Sequence, residues 1–235
     1  EVGAIFTHPA TVEEAEAEIR QLPTGLSTGL YFLTDNGEKQ ELELKEGVSL
    51  LVGARKHGKT TLLCNMALNA AAANLKKWKE GVDTELKKVV FISYEVTYAR
   101  LLQKLLSIYL NNPQISNNTA RSILGYYKGK EDTYFSRSAS GNKEGYLDFL
   151  NRKDTFYKDY ITNGALTIIT ADKVLDKAGK SLTIENLVAY LDTYLADNEV
   201  SLIALDYIQE ITSERKYGTR VEELKYIGEV LRNFA

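Results

Sequence analysis

Leu50-Leu51-Val52-Gly53-Ala54-Arg55-Lys56-His57-Gly58-Lys59-Thr60-Thr61 is the stretch on which the reading of this chain turns. An apolar run ends in a glycine. Gly58-Lys59-Thr60 follows after four residues, and Leu62 to Leu68 is rich in helix formers. The spacing Gly-x-x-x-x-Gly-Lys-Thr between a strand pattern and a helix pattern is that of a phosphate-binding loop. Glycines let the backbone curl so that several N–H groups converge on an anion. The positive end of the following helix adds to the attraction. Gly53, Ala54, Arg55, Lys56, His57, Gly58, Lys59, Thr60 and Thr61 are therefore expected to cradle phosphates, with Lys59 on the β/γ pair and the Thr60 hydroxyl on Mg²⁺. The competing reading is a glycine turn before a helix that happens to carry a lysine.

Working outward, 235 residues suit one large domain, or one domain with an arm. With 44% hydrophobic and 26% charged residues, the composition is that of a globular protein with a sizeable core. No apolar run reaches the roughly 18 residues of a membrane span, and the N-terminus has no basic-then-apolar signal pattern. A single cysteine, Cys64, forms no internal disulfide and fits a reducing interior. It falls in the helix after the loop, where packing explains it. The net charge of −3 makes no electrostatic case for nucleic acid, although a local basic channel remains compatible with it.

In chain order, Thr11 to Arg20 reads as a short acidic helix with Thr11 as N-cap. Tyr31–Leu33 and the alternating Glu41–Leu44 read as edge strands around an Asn36-Gly37 turn. Val48–Val52 reads as a buried strand feeding the loop. Further buried strands are expected at Val89–Tyr94, Leu166–Thr170 and Val200–Leu205. Amphipathic helices are expected around Leu101–Tyr109, Ile184–Leu195 (capped by Thr183, with Glu185 in its first turn) and Leu224–Phe234. Residues 111–163 read as loops between short helices. Their aromatics interleaved with Lys and Arg suit a nucleic-acid strand, but a solvated insertion with locally packed tyrosines explains them better. Continuous apolar strands alternating with amphipathic helices predict an α/β fold, a mainly parallel sheet with helices on both faces.

A nucleotide hydrolase also needs a carboxylate to organise Mg²⁺ and a group to activate water. Asp206, at the carboxyl end of an apolar strand, is placed for the metal, held through water, because ligands bind at that end of open α/β sheets. Glu95 ends another such strand and is a candidate base. Glu210 is its rival, and His57 a weaker one.

These residues carry a resemblance. Phe91-Ile92-Ser93-Tyr94-Glu95 resembles the Phe-Ser-x-Glu strand of DnaB-type replicative helicases. Leu202 to Gln209 (LIALDYIQ) is similar to that family's Walker B segment, Leu166 to Leu187 to the strand, loop and helix before it, and Leu22-Pro23-Thr24-Gly25 to the opening of its motor domain. The likeness runs over 22–235, apart from 111–163. It implies a RecA-like P-loop ATPase domain at 22–235 after a linker-like helical arm at 1–21. It further implies ATP and Mg²⁺ as ligands, Glu95 rather than Glu210 as base, translocation on single-stranded DNA as a hexameric ring, primase or other replisome proteins as partners, and a bacterial cytoplasm. The loop departs from the family's usual Ala-Arg-Pro-x-Met-Gly-Lys-Thr, and the 31–44 hairpin is longer. The family's Ser-Gln strand, main DNA-binding loops and arginine finger have no counterpart, so C-terminal strands are expected to be missing and turnover weak. Glu214–Arg220 is the remaining DNA-facing candidate. The alternatives are a recombinase-like or loader ATPase, and a nucleotide-binding assembly module without catalysis.

Overall fold

A computed structural model describes residues 25–54, 56–110, 143–170 and 183–235. Its centre is the strand with the strongest apolar run. β3 (Lys88–Ser93) is buried at every position from Val89 to Ser93. Val89 and Phe91 point to one face, Val90 and Ile92 to the other, as the two-residue period of a strand requires. β4 (Leu166–Thr170) and β5 (Val200–Asp206) flank it in the order β4-β3-β5, all parallel. Phe91 stands opposite Ile168 and Ala204, and Ser93 opposite Thr170 and Asp206.

Helices cover both faces, as expected for a parallel sheet. One face carries α1 (Lys59–Lys79), α2 (Tyr98–Tyr109) and α3 (Lys143–Phe156), which continues as a π-helical turn, Tyr157–Thr162. Cys64, Ala67, Ala71 and Leu75 of α1 meet Leu101, Leu105, Phe156 and Tyr160 there. The alanines let α1 lie close to the sheet. The other face carries α4 (Ile184–Ala196) and α5 (Arg220–Phe234), through Ile184, Leu187, Leu191 and Ile227, with Leu224, Leu231 and Phe234 beside them. In the described part of 111–163, Phe156, Tyr157 and Tyr160 form an aromatic cluster with Tyr109 of α2, ring centroids 5.2–5.6 Å apart. Those tyrosines pack locally. The other residues of that segment, 111–142, and the 1–21 arm lie outside the described residues.

β1 (Leu26–Leu33) and β2 (Lys39–Leu44) form a separate antiparallel hairpin. Its turn is where Asn36-Gly37 predicts it, with Gly37 at φ 78° and its N–H donating to Thr34 O at 2.8 Å. The hairpin docks on α1, where Asn69 Nδ2 donates to Thr28 O at 2.8 Å.

One expectation fails. Val48–Val52 forms no strand. Leu50 and Val52 are 73% and 79% exposed. A strand is stabilised by a paired neighbour, and among the described residues this run has none. The loop is therefore entered from an irregular, exposed segment. Among the described residues, no helix is long and apolar enough to cross a membrane.

Candidate functional site

The loop residues come first. Lys56 and Gly58 both have left-handed backbone, φ 66° and 79°. Glycine adopts that conformation without cost, whereas a lysine seldom does, and such residues cluster at functional sites. The two kinks coil the chain, and the His57 N–H donates to Ala54 O at 3.3 Å. Lys59 arches back over the coil, its ammonium donating to Gly53 O and Ala54 O, both at 2.9 Å. A Cβ on Gly53 would meet only the Lys59 side chain at ordinary contact distance. Gly58 is thus the glycine whose conformation the loop requires. Arg55 lies outside the described residues.

α1 begins at Gly58 with no side-chain cap and no acidic residue in its first turn. α4 and α5 are capped by Thr183 and Thr219, the latter in a full capping box with Glu222. The N-cap thus offers the first N–H groups of α1 no side-chain acceptor, and no acidic residue of its first turn compensates its positive end. Thr60 is half-buried and Thr61 exposed in that turn.

The orientation of α1 brings this end to the strand termini. Late in the helix, Asn74 Nδ2 donates to Lys87 O at 2.8 Å and to Ser201 Oγ at 2.7 Å, at the amino ends of β3 and β5. Early in it, the Cys64 thiol is pushed up to about 12 by burial, with Lys104 drawing it down and Asp206 adding to the rise. Cys64 thus senses the carboxyl end of β5, and α1 runs antiparallel to the strands. At that pKa it is an inert packing residue.

At the strand ends lies a row of which only Asp206 was legible in the sequence. Thr170, Ser93 and Asp206 are in register across β4, β3 and β5. They are 1%, 0% and 4% exposed. Alternation from Ile168, Phe91 and Ala204, which join the α1-side core, turns all three side chains toward α1. Among the described residues, Thr170 Oγ1 and Asp206 Oδ2 have no hydrogen-bond partner. A buried unpaired carboxylate oxygen is costly and calls for a ligand, water or ion. The available signal was a polar residue closing each apolar run.

The chain leaves this row in an orderly way. The Tyr94 N–H donates to Asp206 O at 2.8 Å, and the Val96 N–H to Ser93 Oγ at 3.0 Å. This turn, just beyond the end of β3, presents Glu95 to solvent. The rival Glu210 accepts from the Tyr207 hydroxyl at 2.7 Å. No protein-family model matches the chain, and no curated protein matches it. Among the described residues no group of three His, Cys, Asp or Glu could enclose a metal. Mg²⁺ takes one or two carboxylates, waters and phosphate oxygens, and Asp206 offers one buried carboxylate oxygen. Thr60 and Asp206 are the residues that would hold it.

The Glu214–Arg220 loop is tied inward. Arg215 lies 4.7 Å from the Tyr226 ring centroid. Arg220 donates to Gln209 O and Ile211 O, both at 2.6 Å, and pairs with Glu223. Two of the loop's three basic side chains therefore serve its own folding.

Proposed function

We propose that this chain binds ATP with Mg²⁺ and hydrolyses it as the RecA-like motor part of an ATP-driven helicase resembling the DnaB type. The observation that carries the reading is the buried, unpartnered Asp206 oxygen at the end of β5, on the face where α1 begins uncapped beneath the arched Lys59. Gly58, Lys59, Thr60 and Thr61 bind and orient the triphosphate through backbone N–H groups and the Lys59 ammonium. Thr60, and Asp206 through water, would hold Mg²⁺, which would supply charge neutralisation on the phosphates. Glu95 accepts a proton from water as its oxygen bonds to the γ-phosphorus and the bridging P–O bond to the β-phosphate breaks. Single-stranded DNA is the track, a hexameric ring the working state, replisome proteins such as primase the partners, and the bacterial cytoplasm the setting. Turnover by this chain alone is low, because an arginine finger from a neighbour contributes on the order of 10³–10⁵ in rate.

Binding of a fluorescent ATP analogue with Mg²⁺ tests the reading. Lys59→Ala loses affinity at least about tenfold, having removed a cation held over the loop. Glu95→Gln keeps affinity and lowers single-turnover hydrolysis by about 10²–10⁴. Lys59→Ala binding like wild type would sink the nucleotide site. The inward engagement of Arg215 and Arg220 favours one second reading, a RecA-like loader or nucleotide-dependent assembly module. A chain that separates no forked DNA, even as a ring, is that switch and not a motor.

A further inference from the structure

The row at the strand ends holds two oxygens without a partner among the described residues, and only Asp206 has a role in holding Mg²⁺. Thr170 Oγ1 is the other. It lies two strands away, with Ser93 between, and all three side chains face α1. Neighbouring strands are about 4.8 Å apart. A water hydrogen-bonded to two oxygens spans about 5.5 Å. Waters seated between in-register side chains on adjacent strands therefore fit the spacing. The chemistry also fits. Ser93 Oγ accepts from the Val96 N–H and keeps its own O–H to donate. Thr170 has one donor and two acceptor positions, and Asp206 Oδ2 only accepts. A buried polar group without a protein partner is ordinarily completed by such water.

Resting on the hydrolytic reading of this site, we infer that Thr170 is a positioning residue for the reaction. Its hydroxyl and that of Ser93 anchor ordered water along the floor from β4 to Asp206, and that water fixes the one Glu95 activates. Glu95 lies two residues beyond Ser93, in the turn that the Ser93 hydroxyl itself braces. Thr170 touches neither nucleotide nor metal. It acts through the water on the floor.

Thr170→Val and Thr170→Ser test this, read by ATP-analogue affinity with Mg²⁺, single-turnover phosphate release and thermal unfolding. Thr170→Val replaces a buried hydroxyl by a methyl of similar shape. It is expected to bind the analogue like wild type, to melt no lower than wild type, and to release phosphate at least about tenfold more slowly, since small misplacements of reacting groups are costly in rate. Thr170→Ser restores the hydroxyl and the rate. A Thr170→Val chain as fast as a hydrolysing wild type overturns this inference alone. So does a Thr170→Val chain that melts well below wild type while Thr170→Ser stays slow, which assigns the residue to packing. A wild type that binds no nucleotide overturns the site and this inference together. One that binds but releases no phosphate above buffer, even as an assembled ring with single-stranded DNA present, overturns hydrolysis and this inference, while the binding site stands.

Discussion

Gly29 and Gly37 share left-handed backbone but differ in surroundings, so together they separate two physical costs. Gly37, at φ 78°, has nothing within 4 Å of an added Cβ. Gly29, at φ 64°, would place a Cβ 2.5 Å from Asn69 Nδ2. That amide is the donor that fastens the hairpin to α1 through Thr28 O. Gly37→Ala therefore carries the conformational cost alone, about 1 kcal/mol. Gly29→Ala adds loss of the amide contact, for about 2–3 kcal/mol in all. Urea unfolding of both variants checks the difference, and equal losses would mean that Asn69 yields freely. At this scale the sequence is uneven as a guide. Asn36-Gly37 announces its turn through local chemistry. Gly29 looks like any strand glycine, because its reason lies on a helix 40 residues away.

Among the elements, α4 and α5 show how a local signal can be correct and still incomplete. Thr183 and Glu185 read as a cap and a favourable first-turn charge, and Thr183 does accept from the Asn186 N–H, at 3.4 Å. Glu185 does more. Its carboxylate takes the Ser213 hydroxyl at 2.7 Å and the Glu214 N–H at 3.1 Å, pinning the polar loop before α5. From the other side, Glu223 takes the Ser213 N–H at 2.8 Å. Partial burial raises the Glu185 carboxyl, but the bonds from Ser213 and Glu214 prevail and hold it below its ordinary value. Glu223 is held low by the Ser213 N–H and by Arg220. A carboxyl whose folded pKa is depressed stabilises the fold fully above its unfolded pKa, about 4.3, and loses that contribution as pH falls through the lower folded value. Thermal unfolding from pH 7 to 3 should therefore show Glu185→Gln less stable than wild type above about pH 5, with the gap closing toward pH 3. A gap that is constant with pH would show that the bonds matter through geometry alone. The helix and its cap were legible because they are neighbours in sequence. The clamp on residues 213 and 214 was not, because periodicity says nothing of contacts across a sheet face.

For the molecule as a whole, the layered α/β plan was legible because burial on both faces writes itself as continuous apolar runs, and three of the four runs read as parallel strands are strands. The fourth, Val48–Val52, shows the limit of that inference. An apolar run reports a preference for burial and carries no information about what supplies it. In this chain β3 takes β4 and β5 as neighbours, and no described strand reaches residues 48–52. The candidate site inherits the same division. Asp206 and Glu95 are positioned by paired strands, and the loop by the coil of Lys56 and Gly58, while the segment entering the loop is held by little. Leu50→Ser with Val52→Ser is accordingly expected to change stability by no more than about 0.5 kcal/mol, as for exposed positions generally, and to reduce self-association by removing exposed apolar surface. Phe91→Ala, in the centre of β3 with no exposure, should cost about 3–5 kcal/mol. Denaturant unfolding of the two variants, with light scattering at rising concentration, makes the comparison. A double serine variant that loses 2 kcal/mol or more, by the arithmetic of buried aliphatic groups, would restore Val48–Val52 as a buried strand of the sheet.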